Sequence, residues 1–191
     1  MKTLTPRRAH LSMARLATRD PCGYTLDVVA ADTTDAVHAA GGLMFDRMRE
    51  GWTVRVFVLD DLHPRPLQIL GADCAYYDGS DGVAPWSSRT ALAVSSTAVA
   101  RRDAVHDDTL ARIRRGRAEI TLWGDPPADM RPHLMAIEHR LTAAARAFKA
   151  SAQMACPTEG SAIGDAERFY GLGTLCVPGN PDLTPVTIAV G

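Results

Sequence analysis

The stretch from residue 24 to residue 59 constrains this chain more than any other. Tyr24–Thr25–Leu26–Asp27–Val28–Val29–Ala30–Ala31 is rich in Val, Leu and Ala over a length that suits a buried strand. Asp32, Thr33, Thr34 and Asp35 follow. Each has a short side-chain oxygen that can accept from a free N–H in a first helical turn. Residues 36–50 then read as a helix, with Val37, Ala40, Met44 and Met48 at helical spacing and Leu43 and Phe45 widening the stripe. Gly51 stands where glycine is favoured just past a helix end. Thr53–Val54–Arg55–Val56–Phe57–Val58–Leu59 reads as a second strand. Such a strand–helix–strand unit makes a right-handed crossover within a parallel sheet.

The rest of the chain continues the alternation. Residues 6–18 fit a short helix, ended at Pro21 and Gly23. A short helix is expected over residues 67–70, a short strand over 75–77 and a loop over 78–82. Residues 91–94 and 98–100 fit helix or strand equally. A helix is expected after Asp107 and Asp108, then a strand over residues 118–123. The spacing of Leu134, Ile137, Leu141, Ala144 and Phe148 predicts one long helix over residues 132–150. Two tail strands are expected at 174–177 and 185–190. Together these elements predict an α/β fold. Its form is a Rossmann-like open, mostly parallel sheet with helices on both faces. A single domain over residues 24–191 would follow an N-terminal extension over residues 1–23.

Composition narrows the function. The chain has 21 basic and 22 acidic side chains and a formal net charge of -1, so no basic surface announces a nucleic-acid partner. No run approaches the ~20 apolar residues that cross a membrane. Cys22, Cys74, Cys156 and Cys176 include no pair at zinc-ribbon or thioredoxin spacing, and they read as reduced thiols of a cytoplasmic protein. The sequence leaves self-association open.

In an open parallel sheet, ligands bind beyond the carboxyl ends of the strands. Three polar segments are expected there: 32–35, 60–63 and 124–133. Asp32 and Asp35, three apart at a strand–helix junction, suit a divalent cation, although Asp at a helix start is more often only a cap. His38 lies one turn further along the same face as Asp35. His133, near the expected start of the long helix, would be kept neutral by the helix dipole, as a metal requires. It also reads as an exposed helix-start residue. No G-x-S-x-G, G-x-G-x-x-G or Walker A sequence is present.

The run Val28 to Leu59, V-V-A-A-D-T-T-D-A-V-H-A-A-G-G-L-M-F-D-R-M-R-E-G-W-T-V-R-V-F-V-L, resembles the PIG-L/LmbE family of metal-dependent N-deacetylases. That family has an apolar strand, P-H-P-D-D-E, a stretch ending in A-G-G, a helix and a G-[HW]-x-V-x-V strand. Leu70–Gly71 and Ser80–Asp81–Gly82 match its later L-G and P-D-G features, and Met130–Arg131–Pro132–His133 falls on its H-P-D-H. The resemblance covers residues 25–150. It implies hydrolysis of an N-acyl group on an amino sugar or similar small polar compound, as in the family branch acting on N-acetylglucosaminyl inositol lipids. It also implies a metal at Asp32, Asp35 and His133, with His38 a further candidate. Asp32 stands on the family's first ligand His, Asp35 on its ligand Asp, and His133 on its last ligand His. Thr34 stands on the general base, Ala36 on the following Glu, Met130 on the first His of H-P-D-H and Pro132 on its Asp. Such an oxygen-rich ligand set suits Mn, Mg or Ca beside Zn. Thr34 cannot act as a base at neutral pH, so Asp60, Asp61 and Asp125 are the candidate substitutes. The alternative is a catalytically inactive relative that binds a small molecule or a protein partner.

Overall fold

The computed structural model describes residues 23–79, 84, 86, 90–116, 119–158, 162–172 and 183–186. The helix expected over 6–18 and the strand expected over 174–177 lie outside these residues, as do residues 187–190 of the strand expected over 185–190 and residues 80–82 of the loop expected over 78–82.

The first unit forms as its sequence dictates. β1 (Thr25–Ala30) leads into α1 (Thr33–Arg49) and then β2 (Thr53–Val58). Asp32 is the N-cap of α1, and its carboxylate accepts from the Asp35 amide. This meets one of the free donors that every helix start leaves. Gly51 follows the helix end with φ of 87°, a backbone setting that glycine adopts without strain. β1 and β2 pair in parallel, from Thr25 with Thr53 to Ala30 with Val58.

The chain continues through α2 (Pro64–Ile69), β3 (Asp73–Tyr76), β4 (Ala91–Ser95), α3 (Ser96–Arg101), α4 (Asp103–Arg115) and β5 (Ile120–Trp123). The ambiguous stretch 91–100 divides between strand and helix at Ser95. Its side chain accepts from Thr97 N–H and caps α3. After β5 come a 3-10 turn (Arg131–His133), β6 (Met135–Arg140), α5 (Ala143–Met154), β7 (Ala166–Gly171) and β8 (Leu183–Pro185). The sheet order is β3-β2-β1-β4-β5-β7-β6-β8. β1 to β5 are parallel, and the β7, β6 and β8 side is antiparallel.

The long helix expected over 132–150 is not formed. Met135 to Arg140 is a strand that pairs antiparallel with β7 along its whole length, from Met135 with Gly171 to Arg140 with Ala166. Ile137 and His139 are buried while their neighbours are more exposed, which is the period of a strand. Helix propensity in this segment yields to long-range pairing. Thr142 then starts a new helix, its hydroxyl accepting from the Ala145 amide. Phe148, expected on the inner stripe, is 45% exposed.

Two cores flank the sheet. α1, α2 and α5 pack on one face, through Val37, Leu43, Met44, Leu67 and Ala145. α3 and α4 cover the other, with Val99, Val105 and Ile113 against Val29, Phe57 and Leu122. The expected α/β fold with helices on both faces is present. Among the described residues, no helix is long and apolar enough to cross a membrane.

Candidate functional site at the carboxyl rim

β1, β4 and β5 run in parallel and end at one rim of the sheet. α1 and α3 start there, with the sheet order reversing between β1 and β4. Ser96 Oγ donates to the Trp123 carbonyl at 2.7 Å and closes the rim between β4 and β5. Thr33 N–H donates to Asp61 O, and His63 N–H to Thr33 Oγ1, so the loop after β2 is tied to the head of α1.

The carboxylates at the head of α1 face inward to protein partners. Asp35 Oδ1 accepts from Trp123 Nε1 at 2.8 Å, and Oδ2 accepts from the Ala31 amide at 3.0 Å. Asp32 Oδ1 accepts from Asp35 N–H at 2.8 Å. Burial pushes the Cys156 thiol's pKa up; its hydrogen bond with Thr34 opposes this and the Asp32 carboxylate adds to it. A thiol shifted that way stays protonated and weakly nucleophilic at neutral pH.

His133 is elsewhere in character. It ends the 3-10 turn, exposed, with its amide donating to Met130 O. On either side, Met130 is buried in the α3/α4 core and Leu134 packs against it. Asp35, through Trp123, belongs to the α1/α5 side, where the Trp123 ring is buried. Among the described residues, no three His, Cys, Asp or Glu side chains are grouped to hold a metal ion. Asp32, Asp35 and His133, at the family's ligand positions, are thus not grouped as a three-ligand set. Two of the three candidate bases are engaged in ion pairs. Asp60 pairs with Arg101, and Asp125 with Arg131. Asp61 is exposed and contributes its carbonyl to the head of α1.

At the middle of α1 lies a polar cluster that the sequence did not reveal. Lys149 on α5 and Glu167 on β7 form an ion pair at 2.6 Å with side chains 6% and 2% exposed. Glu167 Oε1 accepts from the Gly42 amide at 2.7 Å, and Oε2 from the Leu43 amide at 2.8 Å. Lys149 Nζ donates to the His38 carbonyl at 2.7 Å. In a regular helix Gly42 N–H would donate to that carbonyl. In α1 distant side chains meet both ends of that ladder step. A Cβ on Gly42 would lie 2.1 Å from Leu141 Cδ2, so a larger residue there would require the Leu141 side chain to shift. The Gly41–Gly42 pair inside a helix was the available sequence signal, since an interior glycine often marks close approach. Lys149 and Glu167 gave none, because charged residues are rarely buried.

Beside this cluster is a cavity of about 300 Å³, lined by His38, Lys149, Gln153, Glu167, Trp123 and Gly124. The His38 imidazole is held below its ordinary pKa, first by burial and then by the Lys149 charge, with Asp32 and Asp35 opposing. Its Nε2 is enclosed and has no hydrogen-bond partner among the described residues. An enclosed polar atom left unmet costs about 1–3 kcal/mol.

Solved structures of several deacetylases share this architecture. The A40926 pseudoaglycone deacetylase aligns over 76% of this chain and 96% of its own, with a TM-score of 0.50 and 14% identity. A deacetylase in complex with teicoplanin, from the teicoplanin biosynthesis pathway, aligns over 77% and 97%, with a TM-score of 0.51 and 11% identity. A triple mutant of a deacetylase of that pathway aligns over 85% and 99%, with a TM-score of 0.50 and 12% identity. The chain has the fold of these deacetylases. At such identities the likeness speaks to the fold alone. No protein-family model and no curated protein matches the sequence.

Proposed function

We propose that this chain is a deacetylase-fold domain that binds a small polar molecule at the carboxyl rim and does not carry out metal-dependent N-deacetylation. The observation that carries this reading is the state of Asp35. Both its oxygens accept hydrogen bonds from the protein, and among the described residues no group of three His, Cys, Asp or Glu side chains is placed to hold a metal ion. Thr34 at the base position adds to it, because loss of a general base alone removes about 10²–10⁴ in rate. A nearly balanced charge supports a small molecule over a nucleic acid as the ligand.

The second reading is an active hydrolase with Zn, Mn, Mg or Ca at Asp32, Asp35 and His133. The fold likeness to deacetylases favours it. Acetate release from N-acetylglucosamine conjugates, in the presence of each metal, separates the two. The expected result is no release above the protein-free rate. Turnover that Asp35→Ala abolishes would establish the hydrolase.

A further inference from the structure

We infer that a second cavity, between the last turn of α1, the end of β6 and the first turn of α5, binds the phosphate group of a small molecule through Arg49 and Arg140. It has a volume of about 340 Å³ and is lined by Asp46, Arg49, Glu50, His139, Arg140 and Thr142, with Ala144. Along the axis of α1 it lies about 20 Å from Asp35, at the end of the helix away from the deacetylase motif. The inference is therefore independent of what the carboxyl rim does.

The two arginines come from different elements, Arg49 from α1 and Arg140 from β6, and they meet at one hollow. Both are exposed, and among the described residues neither has an ion-pair or hydrogen-bond partner. Their neighbours on the helix and the strand differ. Arg47 holds Glu50 and Glu119, each at 3.0 Å, and His139 Nε2 lies 3.0 Å from Asp46 Oδ2. Unpaired arginines on a convex surface are simply solvated. Here they border a concave wall that contains the buried His139 and Asp46 side chains.

The two carboxylates of the lining are already met. Asp46 Oδ1 accepts from the Thr142 hydroxyl at 2.7 Å, and its Oδ2 faces the imidazole. Glu50 is paired with Arg47. The two helix ends act in opposite senses. The last carbonyls of α1 disfavour an anion and the first amides of α5, at Ala144, favour one, so the dipoles largely offset. What remains is two guanidinium forks without an acceptor. One fork is enough to fill the two oxygens of a carboxylate. A phosphate monoester has three acceptor oxygens and a charge of about -1.5 to -2, and so engages both forks.

Calorimetry on the full chain tests this with inorganic phosphate, glycerol 3-phosphate and glycerate as probes. Both phosphates are expected to bind with a Kd of about 1 mM or tighter, and glycerate at least about tenfold more weakly. Equal affinity for the two phosphates would show that the phosphate group alone is held, and tighter binding of the ester that the rest of the ligand is held too. Either result supports the site. Arg49→Ala and Arg140→Ala are each expected to weaken glycerol 3-phosphate by about tenfold or more. Should an alanine variant fail to fold, its lysine counterpart, which keeps the charge and loses the fork, is expected to weaken it by about threefold or more. Arg114→Ala, at an exposed arginine on α4, should leave the affinity unchanged. The inference is overturned if neither phosphate binds, if glycerate binds as tightly, if the Arg49 and Arg140 variants keep full affinity, or if Arg114→Ala weakens binding as much. None of these results bears on the reading of the carboxyl rim, which the acetate-release assay decides.

Discussion

Helix α1 meets the rest of the molecule at two polar places, its first turn and its middle, and the two differ in where their partners come from. In the first turn most partners are local. Asp32 caps the Asp35 amide and Asp35 takes the Ala31 amide, with Trp123 alone arriving from a distant strand. In the middle every partner is remote. Glu167 reaches Gly42 and Leu43 across 125 and 124 residues, and Lys149 reaches the His38 carbonyl across 111. A short motif can thus keep its spacing while its oxygens serve the helix. Meanwhile the buried, demanding polar groups gather at the Gly41–Gly42 pair, where the motif names no charged partner.

The middle should be the more sensitive place. Glu167→Ala leaves a buried ammonium and two backbone amides without their partner. It is expected to destabilise by about 3–5 kcal/mol in urea unfolding. Replacing both members, with Lys149→Met and Glu167→Leu, should cost much less than the sum of the single changes. If the double change costs that sum, the two groups do not act as a pair. Gly42→Ala comes next, at about 1–3 kcal/mol, because its Cβ would overlap Leu141. A neutral result would mean that α1 and Leu141 have room to part.

The first turn should respond less. Asp35→Ala is expected to cost about 1–3 kcal/mol, as it leaves Trp123 Nε1 and the Ala31 amide unmet. Trp123 emission should change in the same variant. Asp32→Ala, a lost cap, should cost about 1 kcal/mol. The smallest expected effect is one of pH. His38 has a folded pKa below its ordinary 6.5, so the unfolded chain takes up the proton more readily. Its contribution is present above that value and is lost as pH falls through it towards the folded pKa. His38→Asn should flatten the part of the stability profile just below pH 6.5. An unchanged profile would place its titration elsewhere.

The parallel half of the fold was legible because its signals are local. Apolar runs such as Thr53 to Leu59 and caps such as Asp32 specify strand and helix within a few residues. The segment 132–150 was misread because its stripe fits a helix until Gly171 and Ala166 supply pairing partners for Met135 and Arg140. That information is not in the segment. The site shows the same split. Asp32, Asp35 and His38 are close in sequence, and they lie near enough at the head of α1 for both carboxylates to act on the imidazole. His133, expected near the start of a long helix, instead ends a 3-10 turn, exposed, between Met130 and Leu134 of the α3/α4 core. Gln153, Lys149 and Glu167 came to the cavity by tertiary packing alone.

Zinc content of the purified full chain, measured by elemental analysis after equilibration with zinc and exhaustive dialysis, tests the central claim most directly. Far less than one ion per chain is expected, and Asp35→Ala and His133→Ala should leave that content unchanged. One ion per chain that either variant removes would mean that the rim does assemble a metal centre, and the reading of this chain as a metal-free binding domain would be wrong.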